Sequence, residues 1–235
     1  MLHRFIPAGL HDPVGLTRRL MRSRQPDAIF ALRAAALGLL LTPIDLLLAP
    51  FEHRRYRRAA PPRKPILLVC GPARSGTTVT AQLLIHGLPV SYFSNLTSVF
   101  PRAPLTAESL FGRRPPPAAA AFRSFYGRTS GWSGPNDALY LWDRWFGSER
   151  TRVPRALAPR ARQAMAAFFG ARERQTGLPA LGKNNALNAS AHFVAEALPT
   201  AVFICLQRSR VPLAASLLKA QLEIHGSAGI AYDLE

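Results

Sequence analysis

The sequence predicts an α/β domain with a central parallel sheet, preceded by an N-terminal helical segment. Three observations carry this. Residues 66–70, Ile-Leu-Leu-Val-Cys, are a run of strand formers that stops at Gly71 and gives way to a helix-compatible stretch ending near His86. Residues 201–206 are a second apolar β-type run without polar alternation, as expected of a strand covered on both faces. Upstream, residues 28–51 are strongly apolar and are set apart by Pro61-Pro62-Arg63-Lys64-Pro65, which resists continuation of either helix or sheet.

The chain has 235 residues, of which 48% are hydrophobic, enough for one medium domain with an appendage. Its formal charge of +17 points to anionic partners: a nucleotide, a membrane surface or a polyanion. Because 27 of the 30 basic residues are arginine, in an Ala- and Pro-rich background, the charge also fits a general compositional bias. Cys70 and Cys205 each fall near the end of a predicted strand without metal-ligand spacing, and they read as reduced core thiols of a cytoplasmic protein. Asn95-Leu96-Thr97 and Asn188-Ala189-Ser190 match glycosylation sequons, which have no meaning there.

Taken in order, residues 1–27 are basic and proline-punctuated, with no compelling regular structure. Residues 28–51 read as apolar helix, interrupted by Arg33 and Asp45 and kinked at Pro43. Their longest uncharged run, residues 34–44, is short of the ~20 residues a membrane span needs. Arginine follows at 54, 55, 57 and 58. Packing on the main domain or on a second subunit, peripheral association with an anionic membrane through residues 28–58, and a true span all remain open.

Residues 71–76, Gly-Pro-Ala-Arg-Ser-Gly, lie between strand and helix. Their glycines let the backbone approach an anion, while the unpaired amides and dipole of the helix start favour negative charge. Gly71, four residues and Gly76 have Walker A spacing, but position 77, where a nucleotide triphosphatase carries lysine, is Thr77. Arg74 is the cation inside the loop. An ordinary strand-to-helix turn is the bland alternative.

A second predicted strand, residues 89–93, delivers Ser94 to Thr97 to the carboxyl face of the sheet. Residues 101–135 read as a long surface excursion, either acceptor-facing or a plain insertion. Trp132, Tyr140, Trp142, Trp145 and Phe146 concentrate the aromatics, as core or as pocket lining. Residues 155–176 form an alanine-rich helix given over to packing. After the strand at 201–206, Arg208 opens a turn, Pro212 stands near a helix start, and Ser216 follows eight residues beyond Arg208.

The segment Arg74-Ser75-Gly76-Thr77-Thr78 resembles the 5'-phosphosulfate loop of the PAPS-dependent sulfotransferases (PAPS, 3'-phosphoadenosine 5'-phosphosulfate). Arg208 and Ser216 resemble that family's pair for the 3'-phosphate, although the usual Asp-Pro is here Ser209-Arg210. Gly182-Lys183-Asn184-Asn185 resembles the Glu-Lys-Thr-Pro segment of bacterial and Golgi members, whose lysine lies near the transferring group.

The resemblance, over residues 65–220, implies a P-loop-like three-layer domain that moves a sulfuryl group from PAPS to a hydroxyl or amine, without a metal. It implies that Arg74, Ser75, Gly76, Thr77 and Thr78 hold the 5'-phosphosulfate, that Arg208 and Ser216 hold the 3'-phosphate, and that Arg74 and Lys183 serve catalysis. Partners are then the nucleotide co-substrate and an acceptor, with no nucleic acid.

Where relatives carry a glutamate base the chain has Asn95; His86, Glu108, Asp137 and His192 qualify by residue type. Relatives continue beyond the 3'-phosphate helix, so residues 65–235 read as a C-terminally incomplete domain behind an N-terminal segment of residues 1–60. A degenerate, non-catalytic interaction or membrane-associated protein and a small-molecule kinase are the other functional readings.

Overall fold

The computed structural model describes residues 13–112, 122, 124–125, 127, 129–147, 156–185 and 187–225. Four parallel strands run through it: β1 (Ile66–Cys70), β2 (Ser91–Tyr92), β3 (Ala180–Lys183) and β4 (Ala201–Cys205), in the order β2-β3-β1-β4. The register sets Val69 beside Lys183 and Cys70 beside Cys205. The two apolar runs expected to be strands are therefore neighbours.

Strand periodicity divides β1 between the two sheet faces. Ile66, Leu68 and Cys70 join a core built with α7 (Leu139–Phe146), α8 (Pro159–Thr176) and α9 (Leu187–Ala197). Leu67 and Val69 turn the other way, toward Ala81, Leu84 and Ile85 of α4 (Thr77–Gly87). The sheet thus has helices on both faces.

The aromatic segment resolves to core. Trp142 and Trp145 are buried on α7 and pack edge to face, while Trp145, Phe168, Phe169 and Phe93 form a set of rings 5.4–6.2 Å apart. Trp132 stands apart and meets Phe30 at 5.0 Å. Glycine at 182 suits close packing, since a Cβ there would lie 3.1 Å from Leu68 and 3.3 Å from Phe93 and would make them give by a few tenths of an ångström.

Several expectations are corrected. Within residues 1–27 there is a helix, α1 (Pro13–Arg22), whose Leu16 and Leu20 are buried with Ile224 of α10 (Arg210–His225). The apolar stretch is two helices, α2 (Pro26–Leu40) and α3 (Thr42–Arg57), bent by 72°. Pro43 lies in the first turn of α3, where its missing N–H costs nothing. Among the described residues no single helix is long and apolar enough to cross a membrane.

The excursion at 101–135 contains a helix, α6 (Pro104–Phe111), buried over its first half and exposed at its end, after the short α5 (Asn95–Val99). Two acids of α3 hold the start of α6. Asp45 accepts the Arg102 and Ala103 N–H groups at 3.0–3.2 Å, and Glu52 accepts those of Leu105 and Thr106 at 3.1 and 2.7 Å. Both carboxylates are buried, and burial pushes the Asp45 carboxyl above its ordinary value despite the N–H donors. Such pairing offsets a desolvation cost that an isolated charge would not survive. Sequence reading missed α6 because its amides are capped from a helix about fifty residues away.

Candidate functional site

The carboxyl ends of β1, β3 and β4 converge. Strand β1 enters the loop at Gly71, where a Cβ would come within 2.7 Å of Ser75 Oγ and 2.9 Å of the Leu206 carbonyl oxygen; glycine alone leaves those atoms in place. The loop turns on a Ser75 N–H bond to the Pro72 carbonyl at 3.0 Å and on two left-handed residues, Arg74 (φ +68°) and Gly76 (φ +100°). Arg74 is the exception to the glycine rule for such angles, a backbone strain characteristic of ligand clamps.

Gly76 precedes α4 without a side-chain cap, so the first-turn amides keep their orphan donors and the positive end of the dipole faces the loop. Ser75 Oγ is buried and has no hydrogen-bond partner among the described residues. Uncapped amides and an unsatisfied hydroxyl form a donor set that fits a phosphate or sulfate oxygen. Thr77 turns inward and donates to Asn185 Oδ1 at 3.2 Å, tying the loop to the segment after β3.

Three predicted residues from distant parts of the chain meet at this loop. Arg74 Nε donates to Ser216 Oγ at 3.2 Å, and Arg208 Nη1 donates to the Arg74 carbonyl at 2.7 Å. Arg208 is exposed after β4, and Ser216 lies two turns into α10. Thus the strand-to-turn arginine and the helix serine both border the 71–76 loop.

Lys183 ends β3 and is buried, 6% exposed, where a lone lysine is ordinarily solvated. Its Nζ donates to both Asp137 oxygens at 2.6 and 2.7 Å. The pair opens on a small cavity lined by Thr78, Tyr92, Asn136 and Leu181. Gly127 (φ +86°) crosses close by, since a Cβ there would lie 3.6 Å from Thr78 Oγ1 and 3.7 Å from Lys183 Nζ. Part of the 101–135 excursion therefore reaches the site.

Asn95 has a structural task. Its Nδ2 donates to the Thr129 and Gly131 carbonyls at 2.9 and 2.8 Å, and its Oδ1 accepts from Asn136 Nδ2 at 3.0 Å. It fixes the loop that presents Asp137. Of the four substitute bases, His86 is exposed at the far end of α4, ~15 Å along the helix from the loop. His192 is exposed on α9, and Glu108 pairs with Arg172 at 3.1 Å. Asp137 alone among the four is at the site. Sequence reading treated it as one acid among several, because its proximity to Lys183 spans 46 residues that include α7 and α8.

The cysteines depart from the expectation in part. Cys70 is buried, but Cys205 is exposed on β4, which lies at the edge of the described sheet, and their sulfurs are 3.2 Å apart. Burial, with the neighbouring Cys205, pushes the Cys70 thiol from 9.0 up to about 12. A thiol that holds its proton in the fold and releases it on unfolding makes stability fall as pH rises from about 9 toward 12, with no effect below. At about pH 8, iodoacetamide is expected to modify native Cys205 and spare Cys70, as read by peptide mass; equal labelling would contradict this burial.

No family model matches the sequence, and no curated protein matches it as a relative. Among solved structures, the sulfotransferase STF1 from Mycobacterium tuberculosis is similar at a TM-score of 0.52 and 12% identity, covering 88% of this chain. The chain spans 63% of that protein's length. The likeness is one of fold: a central parallel sheet flanked by helices is an architecture that this chain shares with a sulfotransferase.

Proposed function

We propose that the chain is a sulfotransferase that passes a sulfuryl group from PAPS to a hydroxyl or amine acceptor. The observation that carries this reading is the convergence of three separate sequence features, residues 71–78, Lys183 and the Arg208/Ser216 pair, at the carboxyl ends of neighbouring strands. Ligands of open parallel sheets bind at such a place, where the strand order reverses.

In this reading the first-turn amides of α4, with Arg74, Ser75, Gly76, Thr77 and Thr78, hold the 5'-phosphosulfate, and Arg208 with Ser216 holds the 3'-phosphate. The acceptor oxygen or nitrogen forms a bond to sulfur as the bond from sulfur to the bridging phosphate oxygen breaks. The acceptor's proton passes to Asp137. Negative charge grows on the departing phosphate, where Lys183 and the loop amides stabilise it. The protein's contribution is alignment and preorganised charge.

Calorimetric titration with adenosine 3',5'-bisphosphate, beside ATP with Mg²⁺, tests the site. Preferential binding of the bisphosphate is expected, weakened by about 1.5–3 kcal/mol in Arg208→Ala as a charge-assisted hydrogen bond is lost. Failure to bind the bisphosphate would refute the reading, and tight binding of ATP in its place would favour a kinase.

A further inference from the structure

Helix α3 is built inside out. Its two acids, Asp45 and Glu52, are buried against α6, while Ile44, Leu47 and Phe51 face outward, with Leu40 of α2 just before them. Leu40 is 74% exposed, Leu47 71% and Phe51 53%. Within α3, Ile44, Leu47 and Phe51 fall at helical spacing with Arg54 and Arg55, one stripe that changes from apolar to cationic along its length, and Leu40 precedes it across the bend. At the cationic end, an open groove between α3, α6 and α8 has Leu48, Phe51 and Leu110 on its apolar side and Arg54, Arg55, Arg58 and Arg174 around it, with no acidic residue in its lining. Part of that arginine set is already ordered: Arg55 donates to Gln175 at 2.9 Å, and Arg174 to the Arg58 carbonyl at 3.0 Å.

We infer that this face docks on an anionic phospholipid bilayer, with Leu40, Ile44, Leu47 and Phe51 entering the acyl boundary and the arginines meeting lipid phosphates. Exposed apolar side chains contiguous with guanidinium groups match the two layers of a membrane interface, whose apolar and anionic parts lie a few ångströms apart. A second copy of the chain fits poorly. An isologous contact would set these arginines against their own copies, and the acids of α3 that would neutralise them are turned inward. The 72° bend between α2 and α3 leaves Leu40 and Ile44 at an elbow, which suits shallow insertion.

Cosedimentation of the full chain with phosphatidylcholine vesicles, with and without phosphatidylglycerol, tests this. Binding to the anionic vesicles and not to the neutral ones is expected, weakening as salt rises. Combined Arg54→Gln, Arg55→Gln and Arg58→Gln should lower vesicle affinity about a hundredfold, at about one kcal/mol per arginine. Leu47→Asp with Phe51→Asp should abolish binding while leaving the thermal midpoint and the titration with adenosine bisphosphate unchanged; all of these positions are clear of the nucleotide site. No binding to anionic vesicles, or binding that survives both sets of substitutions, would overturn the inference. So would a dimer of the wild-type chain that Phe51→Asp dissociates, which would assign the face to a second copy.

Discussion

Under the proposed reaction, replacing Lys183 with methionine is expected to lower the rate of sulfuryl transfer about 10²–10³-fold, the effect of removing one preorganised donor from a developing charge. Affinity for adenosine 3',5'-bisphosphate should fall far less, because in the proposed site Arg208, Ser216 and the loop amides still contact its phosphates. The split between turnover and nucleotide affinity separates a charge-stabilising lysine from one that merely supports the fold. Methionine keeps most of the buried stem while removing the ammonium that Asp137 grips at 2.6 and 2.7 Å.

Asp137→Asn is the companion. It removes the proposed proton acceptor and releases the lysine charge, so the rate should fall. A double variant should be only slightly worse than the worse single one, since residues that act as a unit are not additive. If Lys183→Met transfers at the wild-type rate, Lys183 has no part in the chemistry and the pair is structural.

The largest effect on stability is expected at Arg172. Its side chain is fully buried on α8, where sequence reading saw only packing. The guanidinium donates to Glu108 Oε2 at 3.1 Å, to Ser91 Oγ at 3.2 Å and to the Tyr92 carbonyl, and stands 4.8 Å from the centre of the Phe93 ring. One side chain thus ties α6, α8 and β2 together. Arg172→Met should cost about 3–5 kcal/mol, because it strands a half-buried carboxylate and a backbone carbonyl.

Arg172→Lys should recover little of this. A single ammonium does not span the three acceptors that a guanidinium fork reaches. Urea unfolding measures both variants, and a loss under about 1 kcal/mol would mean that the network does not hold in solution. Because Ser91 and Tyr92 pair with Ala180 and Leu181 of β3, the loss should also loosen the strand that carries Lys183, lowering the proposed transfer activity before global unfolding.

Much of this protein is legible in its sequence where short-range pattern and backbone chemistry decide the outcome. The apolar runs at 66–70 and 201–205 are strands because they contain little that is polar. The 71–76 loop follows from glycines with a particular angle or clearance, and the break between α2 and α3 follows from Pro43. The placement of Arg208 and Ser216 by the loop was an expectation of the resemblance, since nothing local in their segment points to residues 71–76.

What lay beyond local pattern was decided by tertiary contact. Helix α6 exists because Asp45 and Glu52 satisfy its first amides, and α1 because Leu16 and Leu20 find Ile224, about two hundred residues away. Arg172, Asp137 and the partnership of Lys183 are visible only once the chain has folded. A charged side chain in a low-dielectric interior takes its role from the group that neutralises it, and that group is chosen by the fold rather than by its neighbours in sequence.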